Sequence, residues 1–236
     1  MIDWIKASSY EQMSEIAADI FTEQLAKKPD SVLGLATGGS PLGFYKVMVR
    51  RCQAEEISFA RATTFNLDEY VGKGPGDATS YHEFMCRNLF RQIDLPETRH
   101  HLPNGLAEDL AAECVRYEKL IEASGGIDLQ LLGIGVNGHI GFNEPGSRFN
   151  SRTQVIELTE ATRKSNARYF EKEEAIPAKA ITMGIGTIMS ARKIVLLAFG
   201  ANKTDAVERL KSGAVTEEFP ASVLHKHPHV TVIYGK

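Results

Sequence analysis

The sequence of 236 residues contains little cysteine, and this limits what its thiols can do. Cys52, Cys86 and Cys114 are odd in number and lie far apart, and two of them fall within amphipathic patterns. Such a distribution favours reduced thiols in a core over a disulfide framework or a cysteine-based zinc site. We therefore predict a cytoplasmic protein.

Long apolar runs and an excess of basic charge are also absent. Lys and Arg number 27 against 30 Asp and Glu, for a formal net charge of -3, with no basic stripe of the kind that binds nucleic acid. Residues 1–6 lack the pattern of an export signal, and no later segment approaches the roughly 20 apolar residues of a membrane span. We expect no nucleic-acid partner and no membrane association.

What the sequence does have is a regular alternation of helical and strand patterns. Apolar spacing predicts helices over residues 10–27, 41–54, 81–89 and 110–121. Short β-rich runs predict strands over residues 31–36, 62–67, 127–134, 153–158, 193–199 and 230–234. With no repeat or linker, this order predicts one α/β domain over residues 1–236. We expect a Rossmann-like fold, with a mostly parallel, doubly wound sheet, helices on both faces and ligands at the carboxyl ends of the strands.

The first strand end of interest is Thr37-Gly38-Gly39-Ser40-Pro41. Ser40 fits a helix N-cap and Pro41 the first helical position, so free backbone N–H groups would point into the loop and could bind an anion. A capped turn without a ligand is the alternative. The loop is not a Walker motif, because the Gly-Lys-Ser/Thr ending is missing.

Two carboxylates, Asp68 and Glu69, directly follow the next predicted strand. A carboxylate shielded in a pocket would have a raised pKa and could act as a general base on a C–H beside a carbonyl. The alternative is an exposed acidic turn. The glycine-rich residues 70–76 after them are typical of a mobile loop that closes over a ligand.

The third strand end, within residues 131–145, places His139 and Glu144 in a turn dense in glycine. A carboxylate beside an imidazole can orient it and stabilise its charged form. The alternative is a structural histidine. The spacing Gly-x-Gly-x-x-Gly from Gly133 matches a dinucleotide fingerprint, but Gly141 and Pro145 break the helix that this fingerprint requires.

Cations and further histidines lie later in the chain. Arg168 and Lys203 could meet a phosphate held by the first loop, or be solvated surface charges. Three alternating histidines would share one face of a strand, as a metal site needs, but Pro228 interrupts it and no acidic or thiol ligand accompanies them. These are His225, His227 and His229.

Four blocks together resemble the glucosamine-6-phosphate deaminase family, whose superfamily also contains 6-phosphogluconolactonase and ribose-5-phosphate isomerase. They are residues 35–41, residues 64–72 with 80–81, residues 138–145 and residues 182–187. The resemblance spans nearly the whole chain. It implies the conversion of glucosamine 6-phosphate and water to fructose 6-phosphate and ammonia, with no organic cofactor or metal, and a sugar phosphate as the small-molecule substrate.

The resemblance also implies roles for individual residues. Asp68 matches the base of the enolisation step, and His139 matches the residue that opens the sugar ring, with Asn137 and Glu144 beside it. The positions that match phosphate or substrate contacts are Thr37, Gly38, Gly39, Ser40, Arg168 and Lys203.

Departures from the family pattern carry further expectations. Asn137 stands where many relatives have Asp, which would leave Glu144 alone to supply negative charge near the imidazole. Gln154 and Ile156 replace basic residues that longer, hexameric members use for an activator, and the chain ends at Lys236, short of those members. The resemblance therefore implies a monomer or small homo-oligomer that N-acetylglucosamine 6-phosphate does not activate.

Two other functions fit parts of the pattern. A 6-phosphogluconolactonase-like hydrolase would share the glycine-rich loop and the Gly-His motif but should not need residues 66–70. A non-catalytic sugar-phosphate sensor would need a DNA-binding module, for which there is no room before the first predicted strand. The block at residues 66–70 favours the deaminase.

Overall fold

The computed structural model describes residues 2–160, 162, 163, 167, 170 and 176–236, and it is organised around a seven-stranded parallel sheet. The strands are β1 Ile2–Lys6, β2 Val32–Leu35, β3 Thr63–Asn66, β4 Asp68–Tyr70, β5 His100–His101, β6 Leu129–Gly133, β7 Gln154–Glu157, β8 Lys179–Thr182, β9 Lys193–Phe199 and β10 Val230–Gly235. The strand order in the large sheet is β1-β10-β9-β6-β2-β3-β5, and a second sheet has the order β4-β8-β7.

Helices cover both faces of the large sheet. The helices are α1 Tyr10–Lys27, α2 Leu42–Gln53, α3 Tyr81–Asn88, α4 Leu110–Ala123, α5 Ile185–Met189 and α6 Thr204–Lys211. One apolar core lies between the sheet and α1, α2 and α3, and the other lies between the sheet and α4, α5 and α6. The central strands are buried on both sides, which explains continuous apolar runs such as that of β9. The prediction of a parallel sheet covered on both faces is confirmed.

Local sequence signals define where the helices begin. The side chains of Ser9, Ser80 and Asp109 each accept a hydrogen bond from a backbone N–H in the first turn of α1, α3 and α4. Within the described part of the chain, no helix combines the length and apolar character needed to cross a membrane.

The strand order reverses direction between β2 and β6, which lie side by side at the centre of the sheet. From β2 the chain builds outward through β3 to β5, whereas from β6 it builds the other way through β9 and β10. Loops that leave neighbouring strands at such a point diverge and open a crevice at the carboxyl ends. The predicted ligand position is therefore a physical consequence of this topology.

The small sheet was not evident from the sequence. Residues 68–70 form strand β4, which pairs antiparallel with β8, and β8 pairs antiparallel with β7. The predicted strand at 153–158 thus exists as β7 but lies outside the parallel sheet. Residues 71–77 follow β4 as a loop, in which the Gly72 N–H bonds the Gly105 carbonyl and Lys73 pairs with Asp77 at 2.7 Å.

Candidate active site

A cavity of about 510 Å³ opens at the carboxyl ends of the central strands. It is bounded by the loops after β2, β3, β6 and β9, with one wall from the start of α3. All three strand ends that stood out in the sequence contribute side chains or backbone to it. The predicted site residues on its wall are Thr37, Gly38, Gly39, Ser40, Asp68, His139 and Lys203.

The loop after β2 leaves open space where the sequence predicts an anion site. Gly38 has φ of 103°, a left-handed conformation that favours glycine, and a Cβ at Gly38 or Gly39 would meet nothing within 4 Å. The prediction that Ser40 caps α2 is wrong. The helix begins at Leu42 with Pro41 at the N-cap in a helical conformation and with no side-chain cap, which leaves Ser40 on the cavity wall.

Tyr10 of α1 lines the cavity and contacts this loop. Its one hydroxyl proton is shared between the carbonyls of Gly39, at 2.8 Å, and Ser40, at 3.1 Å, and the oxygen accepts from the backbone N–H of Gly43 at 2.8 Å. One side chain thereby fixes both the loop and the first turn of α2, and sequence reasoning did not find it.

We expect Tyr10→Phe to raise the KM for a phosphorylated sugar about fivefold and to change kcat less than twofold. Losing hydrogen bonds of this kind costs about 1 kcal/mol. The change weakens the glycine loop that would bind the phosphate and leaves the carboxylate of Asp68 in place. Steady-state kinetics measures both constants, with Tyr234→Phe as the control, because Tyr234 lies on β10 away from the cavity. A fall in kcat with an unchanged KM would contradict this role.

Asp68 and Glu69 point in opposite directions because successive strand residues alternate. Asp68 is 5% exposed and lines the cavity, and burial, with the charge of Glu69 adding to it, raises its pKa to about 8. Glu69 points away and accepts hydrogen bonds from the backbone N–H groups of Tyr81 and His82 at 2.9 and 2.8 Å. Asp68 therefore has the raised pKa that a general base requires, while Glu69 caps α3.

His139 belongs to a hydrogen-bonded chain of four side chains. Its Nδ1 lies 2.7 Å from Oδ1 of Asn137, whose Nδ2 donates to Oε2 of Glu144 at 2.6 Å, and the hydroxyl of Thr162 donates to the other oxygen of Glu144. Burial opposes ionisation of Glu144, but the hydrogen bonds of His139 and Thr162 overcome it and lower its pKa to about 2. The ionised Glu144 lies 3.6 Å from the imidazole Nδ1.

The proton positions in this chain follow from its chemistry. An ionised carboxylate can only accept hydrogen bonds. The Asn137 amide must therefore turn its NH₂ group towards Glu144 and its oxygen towards His139. That oxygen can only accept, so the imidazole carries a proton on Nδ1. The Nε2 of a neutral His139 is then left with a free lone pair.

The glycines of this turn serve close packing. A Cβ at Gly135 would lie 2.2 Å from the ring of His139, and a Cβ at Gly138 would lie 2.1 Å from the ring of Phe219. Residues 134–153 contain no helix, so the dinucleotide fingerprint lacks the helix whose N-terminus would hold a pyrophosphate.

The remaining predicted cations and histidines have separate outcomes. Lys203 lies on the cavity wall at the start of α6, and Arg168 lies outside the described residues. The His227 ring bonds the Ala191 carbonyl at 2.8 Å and accepts from the His229 N–H at 3.1 Å, whereas His225 bonds the Leu210 carbonyl. The rings of His225 and His227 thus have backbone carbonyl partners, whereas His229 is exposed.

Several cavity residues were missed because nothing local distinguishes them. Thr162 is one of several polar residues in its segment, so its sequence does not set it apart. Tyr81 fits the pattern of an amphipathic helix, which indicates packing and not a site. Both reach the cavity only through tertiary structure, Tyr81 from the first turn of α3 and Thr162 through its bond to Glu144.

Comparisons with known proteins agree with this geometry. The model of a family described as glucosamine-6-phosphate isomerases and 6-phosphogluconolactonases matches residues 6–233. A glucosamine-6-phosphate deaminase of Lysinibacillus sphaericus is 59% identical over 232 residues, covering 98% of each chain.

Solved structures show the same fold. A monomeric glucosamine-6-phosphate deaminase superposes with a TM-score of 0.97 at 51% identity, covering 99% of this chain and 97% of that one. A 6-phosphogluconolactonase from Thermotoga maritima superposes over the full length of both chains with a TM-score of 0.78, but at 17% identity it shares only the fold.

Proposed function

The chain belongs to the family of glucosamine-6-phosphate isomerases and 6-phosphogluconolactonases, and on that basis we propose that it converts glucosamine 6-phosphate and water to fructose 6-phosphate and ammonia. The observation that carries the proposal is Asp68, a buried carboxyl with a raised pKa on the wall of the cavity that also presents His139 and the glycine loop. Full-length relatives named for this deaminase reach 59% identity.

The proposed reaction begins with ring opening at His139. The free Nε2 lone pair takes the proton of the anomeric hydroxyl, and the same nitrogen returns a proton to the ring oxygen, which exposes the C1 aldehyde. The amide of Asn137 keeps the proton on Nδ1, and the charge of Glu144 stabilises the transient imidazolium. Without this step C2 has no neighbouring carbonyl to acidify it.

Asp68 carries the proposed C–H chemistry. Its ionised form removes the proton from C2, the resulting enolamine accepts a proton at C1, and the C2 imine then reacts with water to release ammonia. A carboxylate with a pKa of about 8 is a strong enough base to share one proton between adjacent carbons near neutral pH. A Cβ at Gly141 would lie only 3.6 Å from Asp68 Oδ2, which places the His139 loop against this carboxylate.

The phosphate of the substrate is proposed to bind at the glycine loop of the cavity. The lining of the cavity contains the loop residues Thr37, Gly38, Gly39 and Ser40 and the cation Lys203. Arg168 is proposed as a further cation from the resemblance alone. Binding energy from this remote group positions C1 and C2 against Asp68.

Asn137→Asp tests how the imidazole is supported. A second carboxylate beside His139 would stabilise the imidazolium, so we expect the pH–rate profile of the variant to be displaced towards higher pH. The direction is the same whether His139 gives or takes the proton. Parent and variant are compared over a range of pH, and superimposable profiles would contradict the proposed arrangement.

The assay that tests the proposed function compares two substrates. The purified chain should release ammonia from glucosamine 6-phosphate and leave 6-phosphoglucono-δ-lactone to its spontaneous hydrolysis. The lactonase alternative rests on the shared fold, because the structures that carry that name are distant. Accelerated lactone hydrolysis without ammonia release would overturn the proposal.

We further propose that the protein is a cytoplasmic monomer or small homo-oligomer without activation by N-acetylglucosamine 6-phosphate. The monomeric relative at 51% identity supports the first part, and Gln154 and Ile156 on β7 support the second. Light scattering and a rate curve with and without that ligand test both parts. A hexamer, or a sigmoidal curve that the ligand relieves, would contradict them.

A further inference from the structure

A cluster of metal-ligating side chains lies on α3, behind the cavity wall. His82, Glu83 and Cys86 stand at positions i, i+1 and i+4, so Cys86 lies one turn beyond the other two and beside both of them. Their ligand atoms all lie within 4.8 Å of one another. Among the described residues this is the one group of three or more such side chains, and the proposed reaction uses none of them.

We propose that His82, Glu83 and Cys86 bind a divalent cation of the zinc class. The distance from Cys86 Sγ to His82 Nδ1 is 3.7 Å. Tetrahedral zinc with a sulfur ligand at about 2.3 Å and a nitrogen ligand at about 2.0 Å separates these atoms by about 3.5 Å. The two donors therefore already stand at nearly the spacing of a metal-bound pair.

The donor set selects the kind of metal. A thiolate and an imidazole favour Zn²⁺, Co²⁺ or Cd²⁺, whereas Mg²⁺ and Ca²⁺ require mostly oxygen ligands. The spacing of the cysteines gave no sign of this site, because a single thiol is combined with two helical neighbours of other types.

Glu83 is already oriented for such a role. Arg91 donates to its two carboxylate oxygens at 2.7 and 2.9 Å. A carboxylate has about four lone-pair positions, so one oxygen can keep its bond to the guanidinium while it also binds a cation. Arg91 then fixes the ligand geometry and offsets part of the negative charge.

The fourth coordination position is left to water or to His100. The His100 ring centroid lies 6.0 Å from that of His82, and the ring stacks on Phe90 at 4.4 Å.

Metal binding changes the protonation of the cluster. The Cys86 thiol loses its proton as the sulfur–metal bond forms, so each cation bound releases one proton to solvent.

Equilibrium dialysis of the tag-free, full-length chain against Zn²⁺ tests the proposal. We expect one ion per chain, and at least a tenfold loss of affinity in both Cys86→Ser and His82→Gln. Cys114→Ser is the matched control, since Cys114 is an equally buried thiol on α4 outside the cluster. Unchanged binding by the two cluster variants, or no stoichiometric binding by the parent, would overturn it.

A measurement on the parent protein covers the case in which Cys86→Ser does not fold. Co²⁺ bound through a thiolate gives a sulfur-to-metal charge-transfer absorption, which we expect on titration of the parent and which Zn²⁺ should abolish. Absence of that absorption would also overturn the proposal. Neither measurement depends on turnover, so failure here leaves the proposed reaction standing.

Discussion

Asp68→Asn should lower kcat by a factor of about 10³ and change the KM little. The substitution keeps the size of the side chain but removes the only group proposed to carry the proton between C2 and C1, and general acid–base catalysis contributes about 10² to 10⁴ in rate. Steady-state ammonia release measures the effect. Asp109→Asn is the matched control, because Asn also serves as an N-cap at the start of α4.

The same variant should be more stable than the parent at alkaline pH. In the unfolded chain Asp68 ionises near its ordinary pKa of 3.8, whereas in the folded protein burial keeps it protonated up to a pKa of about 8. Between these values the unfolded state has lost a proton that the folded state keeps, so Asp68 increasingly disfavours folding as the pH rises from about 4 to about 8.

Thermal unfolding at several pH values measures this effect. At pH 8 we expect a midpoint about 5 °C above that of the parent, equivalent to about 2 kcal/mol, and near pH 4 we expect no difference. A variant that is less stable than the parent at pH 8 would contradict the burial argument. Loss of activity with a gain in stability would mark Asp68 as a functional group that the fold holds at an energetic cost.

His139→Gln should lower kcat/KM by a factor of about 10² to 10³. Glutamine can reproduce a hydrogen bond to Asn137, but it has no nitrogen that accepts and returns a proton, so the ring-opening step loses its acid and base. His225→Gln is the matched control, since the His225 ring bonds only the Leu210 carbonyl in the described structure and lies outside the cavity.

The loss of activity in His139→Gln should be smaller for an open-chain substrate than for a closed-ring sugar. Ring opening is slow without catalysis, whereas the later steps do not use His139. In the reverse direction the substrates are fructose 6-phosphate and ammonium, and the open-chain ketose enters the reaction without the ring-opening step. We therefore expect the variant still to exchange the C1 proton with solvent. An equal loss of activity in the forward reaction and in the C1 exchange assay would instead indicate that His139 takes part in the proton transfer between C2 and C1.

The sequence predicts the five inner strands of the parallel sheet because these strands and the helices between them carry strong periodic patterns. Buried strands such as β9 read as continuous apolar runs, and α1 shows a clear apolar stripe. Strands β1 and β5, at the two edges of the parallel sheet, were not predicted, and β5 has only two residues. Strands β4 and β8 were missed because each is short and β4 consists of Asp, Glu and Tyr. Their pairing is antiparallel and connects residues more than 100 positions apart, which local patterns do not encode.

The site was predictable where chemistry coincides with a strand end. Asp68 and His139 both follow strands and carry unusual residue types, so pattern reasoning found them. Tyr10 and Thr162 act through hydrogen bonds to residues 29 and 18 positions away, and no local feature indicates them. Asn137 was singled out as a departure from relatives, and the structure places it between His139 and Glu144 as a neutral link.

The most direct test of the account is a paired time course of ammonia and fructose 6-phosphate from glucosamine 6-phosphate, run with the parent and with Asp68→Asn. For the parent we expect the two products in equal amounts. For the folded variant we expect neither above about one thousandth of the parent rate. Release of both products by the variant at the rate of the parent would contradict the assignment of the proton transfer to Asp68.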